Sequence, residues 1–144
     1  MSGTAHDTFG WDALQAELTV DEGRNLRLYV DSRGYASIGI GRNLTSNGIT
    51  AAECEAMFQH DVDEAVADLD HFIPWWRTLP PARQRVMVNL TFNMGWPTLS
   101  TFRRFLARME QQDWAGAAAE LRASQWWHQV GERGPRMVAR LVGD

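Results

Sequence analysis

At 144 residues, 44% hydrophobic and 22% charged, the chain has the size and composition of one soluble domain. A single cysteine excludes an intramolecular disulfide, and no apolar run reaches the length of a membrane span. The net charge of −4 hides a polarity: residues 1–72 hold 13 acids and 4 arginines, whereas residues 73–144 hold 10 arginines and 5 acids. The arginines never run longer than two in a row. Attraction between two halves of one fold therefore accounts for the polarity better than a basic face for nucleic acid does.

Residues 1–8 are polar and read as loose, with neither the basic nor the apolar region of a cleavable signal. Synthesis in the cytosol is expected. Asp12 is predicted to cap a helix with Gln15 as its capping-box partner, Leu14 and Leu18 on one face, and Gly23 as the stop. Leu26 to Val30 roughly alternates and predicts a strand. Asp31-Ser32-Arg33-Gly34 reads as a turn and Tyr35 to Ile40 as the return strand. Gly39 and Gly41 permit a close backbone approach or a bulge there. Arg42-Asn43-Leu44 adds a short third strand before Asn47-Gly48 breaks the chain.

Thr50 and Glu53 form a capping box that opens the clearest helix. Cys54, Met57, Phe58, Val62, Ala65, Val66, Leu69 and Phe72 keep one stripe along it until Pro74. About 22 residues of helix span roughly 33 Å, close to a small domain's diameter. Further helices are predicted from Pro80-Pro81 to Gly95, from Leu99 to Gln112, from an Asp113 cap through Leu121, and from Pro135 to Val142. The fold class is α+β in one domain. A small lobe with a three-stranded sheet (about 12–50) is joined by a connecting helix (about 51–73) to a larger all-α lobe (about 74–144).

Most of the 18 acids fall on solvated helix faces, but Glu22 occupies a last helical turn, where the helix dipole disfavours negative charge. Such a placement points to function or to a cationic partner. The histidines at 6, 60, 71 and 128 show no ligand spacing, so no metal site is expected. Cys54 on the apolar stripe reads as a buried, inert thiol. Gly39-Ile40-Gly41 lacks the third glycine of a dinucleotide site, and no cofactor is implied. Seven tryptophans are many for this length, and Trp126 and Trp127 cannot both point inward from one helix.

Taken together, Glu22-Gly23, Tyr29-x-Asp31 and Gly34-Tyr35-x-Ser37-Ile38-Gly39-Ile40-Gly41 resemble the active-site signature of phage-type lysozymes, glycoside hydrolase family 24. The likeness continues through Asn47 to Thr50, Asn89 to Gly95, Phe102, Asp113-Trp114, Ser124-x-Trp126 and Arg133-x-x-Arg136, so it covers nearly everything after residue 12. The resemblance implies a lysozyme-like fold and an inverting muramidase that cuts the β-1,4 bond from N-acetylmuramic acid to N-acetylglucosamine in bacterial peptidoglycan. Glu22 matches the proton donor, Asp31 the second carboxylate, and Ser37 a position that is Thr in the T-even branch. Arg133 matches a residue that pairs with the catalytic Glu, and Asn93, Phe102 and Trp126 match substrate-binding or lobe-contact positions. Arg42 stands where that branch has a His paired with the counterpart of Asp61, so an Arg42–Asp61 pair is expected. The segment between Arg42 and Asn47 is shorter than in that branch, which trims the small lobe.

The expectation is thus an endolysin-type monomer with peptidoglycan as its partner, without nucleic acid or stable membrane insertion. Lacking a signal, it would act on the wall after release through a membrane pore or lysis. A non-catalytic peptidoglycan-binding relative and an Arg-rich nucleic-acid-binding module are the competing readings. Retention of Glu22, Asp31 and a hydroxyl at Ser37 counts against the first, and overall acidity counts against the second.

Overall fold

The computed structural model describes residues 8–143, so the stretch read as loose lies, apart from Thr8, outside the described residues, as does His6. The architecture is α+β, mostly helical with one three-stranded antiparallel sheet. The chain divides into two compact units, residues 1–54 and 55–144, with the boundary inside one helix.

The first unit runs α1 (Trp11–Glu22), β1 (Asn25–Val30), β2 (Ala36–Gly39), β3 (Arg42–Asn43) and α2 (Leu44–Asn47), and it ends in the first turn of α3 (Ala51–Phe72). Asp12 is not the cap of α1: Gly10 holds that place at φ 78°, and Asp12 lies in the first turn, where its charge still suits the helix dipole. Gly23 ends α1 at φ 80°, a value that L side chains rarely adopt, and its N–H donates to the Thr19 carbonyl. The strands pair in the order β1-β2-β3, with Tyr29 opposite Ser37 and Ser37 opposite Asn43. An irregularity between Asn25 and Tyr29 shifts the β1–β2 register. The residues after β3 form the short helix α2, its first turn capped by the Asn43 side chain accepting from Ser46 N–H.

The alternation of β1 does not bury its apolar residues. Leu26, Leu28 and Val30 are 70%, 61% and 67% exposed. Among the described residues of this unit, Ser37 is the one that is buried. Main-chain pairing and side-chain caps, rather than an apolar core, therefore hold the sheet. The capping box of α3 forms as expected: Thr50 N–H donates to Glu53 Oε1 at 2.8 Å, and Glu53 N–H donates to Thr50 Oγ1 at 3.1 Å.

In the second unit, the rest of α3 leads through a 3-10 turn (Pro74–Thr78) to α4 (Pro81–Met94), α5 (Trp96–Leu99), α6 (Arg103–Glu110), α7 (Trp114–Arg122), α8 (Gln125–Gln129) and α9 (Arg133–Val142). The helix predicted from Leu99 to Gln112 is shorter, Arg103–Glu110, and the separate short helix α5 precedes it. Pro97 sits in the first turn of α5, where its missing N–H costs nothing, and α6 starts only after an irregular Phe102. Asp113 caps α7 by accepting from Gly116 N–H at 2.9 Å. Leu69, Trp76, Val86, Met87, Leu90, Leu99, Phe105, Met109, Leu121, Met137 and Leu141 form one buried cluster. The stripe of α3 joins it only in part: Ala65 and Leu69 are buried, whereas Met57 and Phe58 are exposed. Cys54, expected to be buried, is likewise exposed, because the buried face of α3 begins only at Ala65, about three turns beyond it.

Candidate functional site

In the first unit, α1, the β1–β2 turn and the strand β2 present the three residues singled out for chemistry. Glu22 is the last residue of α1 and is exposed, and no basic residue shares its turn. The turn between β2 and β3 lies against its side chain. A β-carbon placed on Gly41 would stand 2.8 Å from Glu22 Oε2 and 3.0 Å from its Cδ. Gly41 also has φ 70°, so glycine is required there twice over. This is the close backbone approach that the sequence allowed.

Asp31 folds its own turn. Its Oδ1 accepts from the N–H groups of Arg33 and Tyr35, both at 2.9 Å, and its main chain exchanges bonds with Tyr35 and Gly34. Among the described residues no group donates to Oδ2, so one carboxylate oxygen stays free while the other fixes the side chain's direction. Arg33 also lies over the Tyr35 ring at 5.1 Å. Ser37 sits at the centre of the sheet and is 4% exposed. No protein group among the described residues hydrogen-bonds its hydroxyl, although buried hydroxyls ordinarily have a partner.

Arg42 departs from expectation. Its guanidinium grips Glu53 with both terminal nitrogens, Nη1 donating to Oε1 at 2.8 Å and Nη2 to Oε2, and Nη1 also donates to the Gly48 carbonyl at 3.1 Å. Glu53 is the acidic residue of the capping box, already aimed at the start of α3, and its two oxygens match the guanidinium fork. Asp61 lies eight residues farther along α3, roughly 12 Å of helical rise. Its carboxylate instead faces His60 at 3.6 Å. Hydrogen bonds from Arg42 and from Thr50 N–H hold the Glu53 carboxyl down at about 2, and the carboxylate raises Arg42 in return.

The second unit gathers the remaining candidates around two cavities. Trp126 is buried and donates its indole N–H to Asn93 Oδ1 at 2.8 Å, tying α8 to α4. Trp126 and Phe102 line a cavity of about 680 Å³ with Met94, Ser124, Gln125 and the paired arginines Arg103 and Arg104. The arginines and Gln125 were not singled out from sequence, because nothing in their spacing tells a lining face from a solvated one. Trp127 is half-buried, its ring so close to Gly134 that a β-carbon there would meet it at 2.8 Å. Arg133 opens α9 and borders a second, more apolar cavity with Phe58, Val62, Val88, Asn89 and Phe92. Among the described residues no helix is long and apolar enough to cross a membrane.

Comparison with known proteins gives the geometry a context. The family model described as Phage lysozyme matches residues 20–142. The chain is 29% identical over 156 residues to "Probable T4-type lysozyme 1" of Dictyostelium discoideum, across 88% of this chain and 92% of that protein. It is 27% identical to "Probable T4-type lysozyme 2" of the same organism over the same shares. It is also 28% identical over 150 residues to "Pre-baseplate central spike protein Gp5" of Enterobacteria phage T4, across 85% of this chain but 26% of that protein.

Proposed function

The chain belongs to the phage lysozyme family, and from that premise we propose that it is an inverting muramidase with Glu22 as general acid and Asp31 and Ser37 as the handlers of the attacking water. The bond cut is the β-1,4 link between N-acetylmuramic acid and N-acetylglucosamine in peptidoglycan. Glu22 protonates the leaving oxygen, while water attacks the anomeric carbon from the opposite face of the sugar. That geometry needs carboxyl groups roughly 6.5–9.5 Å apart, with space for a water between them.

The buried Ser37 hydroxyl carries this reading. It has one donor and two acceptor sites, none used by a protein group among the described residues. A hydroxyl kept from solvent without a partner costs stability, and orienting a reactant is a function that would justify the cost. Asp31 suits the same role, with Oδ1 locked by its turn and Oδ2 open to accept the water's proton. The cavity bordered by Phe102 and Trp126 offers aromatic edges and polar groups suited to a glycan strand. An endolysin, released to the wall through a membrane pore or by lysis, is the setting we infer from this activity.

Two measurements test the assignment. Glu22→Gln should abolish clearing of a cell-wall suspension while leaving the unfolding midpoint in place, and lysis at the wild-type rate would end the acid assignment. NMR of the first product released should show the α anomer. A β anomer would mean retention through a covalent intermediate.

A further inference from the structure

We propose that Arg42 is a positioning residue for Glu22, acting through the backbone of Gly41. The inference rests on the reading of Glu22 as the acid. Among the described residues of its own unit no side chain donates to the Glu22 carboxylate, and α1 offers no cation in its last turn. What stands beside the carboxylate is the Ile40-Gly41 turn between β2 and β3. Gly39 and Gly41 both lie at φ 70°, and a turn with glycine on either side of Ile40 has little stiffness of its own. β3 cannot supply much more, because it is two residues long and pairs only Arg42 with Ile38 and Asn43 with Ser37.

The turn's placement is set from its far end. Arg42 follows Gly41 directly, and its side chain closes on Glu53 through two hydrogen bonds and on the Gly48 carbonyl through a third. Glu53 is in turn fixed to the start of α3 by Thr50 N–H. The line Glu53–Arg42–Gly41 thus joins a helix terminus to the backbone that borders the proposed acid. Both partners are more than a third exposed, so the pair adds little to global stability and its consequence is local.

The test uses Arg42→Gln, Arg42→Lys and Glu53→Gln, with Glu22→Gln as reference, in steady-state assays on soluble peptidoglycan strands well below the unfolding midpoint. Glu53→Gln keeps a capping-box residue while discharging the pair. Arg42→Lys keeps the charge and loses the fork. Arg42→Gln and Glu53→Gln should each lower kcat by about tenfold with KM within about twofold, as expected when a catalytic group is displaced by a fraction of an ångström. Arg42→Lys should fall between them and wild type. The double variant should lose no more than either single, since both cut one connection. Unchanged kcat in folded single variants, or losses that multiply in the double, would overturn the proposal. If Glu22→Gln itself remains active, the fault lies in the acid assignment. If Glu22→Gln is dead while the Arg42 variants work normally, it lies in the positioning.

Discussion

Gly41 and Glu22 are fitted so closely that a single methyl group would separate them: a β-carbon on Gly41 falls 2.8 Å from Oε2 and 3.0 Å from Cβ of Glu22. Two effects of Gly41→Ala can be told apart. The left-handed backbone alone should cost about 1–3 kcal/mol of stability. The collision should also push the carboxylate aside and lower kcat at least about tenfold. Gly131→Ala is the control, because Gly131 has φ 55° but nothing within 4 Å of the added carbon. It should lose similar stability and keep its activity. Comparable kcat in the two folded variants would show that the contact does not position Glu22.

Ser37→Ala should separate function from stability in the opposite sense. Removing a buried hydroxyl that no protein group among the described residues satisfies leaves no orphaned partner there, so the unfolding midpoint should hold or rise slightly. If the hydroxyl orients the water, kcat should fall by about a hundredfold or more. A variant that unfolds more easily while clearing walls normally would make Ser37 a packing residue.

Acid should weaken the fold through two carboxylates on α3. Glu53 is held at about 2 chiefly by its hydrogen bond to Arg42, and Asp70 at about 2 chiefly by its hydrogen bond to Arg77, with Trp76 N–H adding to it. Both folded values lie below those of the unfolded chain, about 4. Their contribution is therefore complete above the unfolded value and is lost as pH falls through the folded one. The midpoint should stay level from neutral pH to about 5 and drop only slightly between about 4 and 2, because solvent screens both pairs, whose side chains are more than a third exposed. Glu53→Gln and Asp70→Asn should each flatten that drop. An unaltered profile in both would remove these pairs as its source.

The parts that were legible in the sequence are those whose partners are close along the chain. Thr50 and Glu53 are three residues apart and form their capping box, Asp113 caps its helix, and the Asp31 turn closes between two strands as read. Gly41 was marked for close approach, but only the fold shows that the approaching group is Glu22. Failures came where the answer depends on how the chain returns on itself. The partner of Arg42 is Glu53 rather than Asp61, and no local pattern separates two acids on one helix. Periodicity placed Cys54 and Met57 on the apolar stripe of α3, yet a stripe shows which residues share a face and not how much of that face is covered.

The same limit hid Arg83, a cation 8% exposed in the helical unit. Its Nε donates to the Leu141 carbonyl at 3.0 Å and its Nη2 to that of Gly143 at 2.6 Å, and the guanidinium lies over the Trp114 ring at 5.0 Å. Those carbonyls belong to the end of α9, where helical oxygens have no internal partner and favour positive charge. Arg83 therefore ties α4, α7 and the C-terminal end of α9 together from inside the unit. Arg83→Ala strands both acceptors and uncovers Trp114, which should cost about 2–4 kcal/mol, since bonds from a charged donor are the stronger kind. Arg83→Lys cannot reproduce the fork and should recover only part of that. Chemical denaturation should show the loss as a lower midpoint with an unchanged slope. A change within about 0.5 kcal/mol, the range of ordinary surface substitutions, would mean that α9 is anchored by Met137 and Leu141 alone.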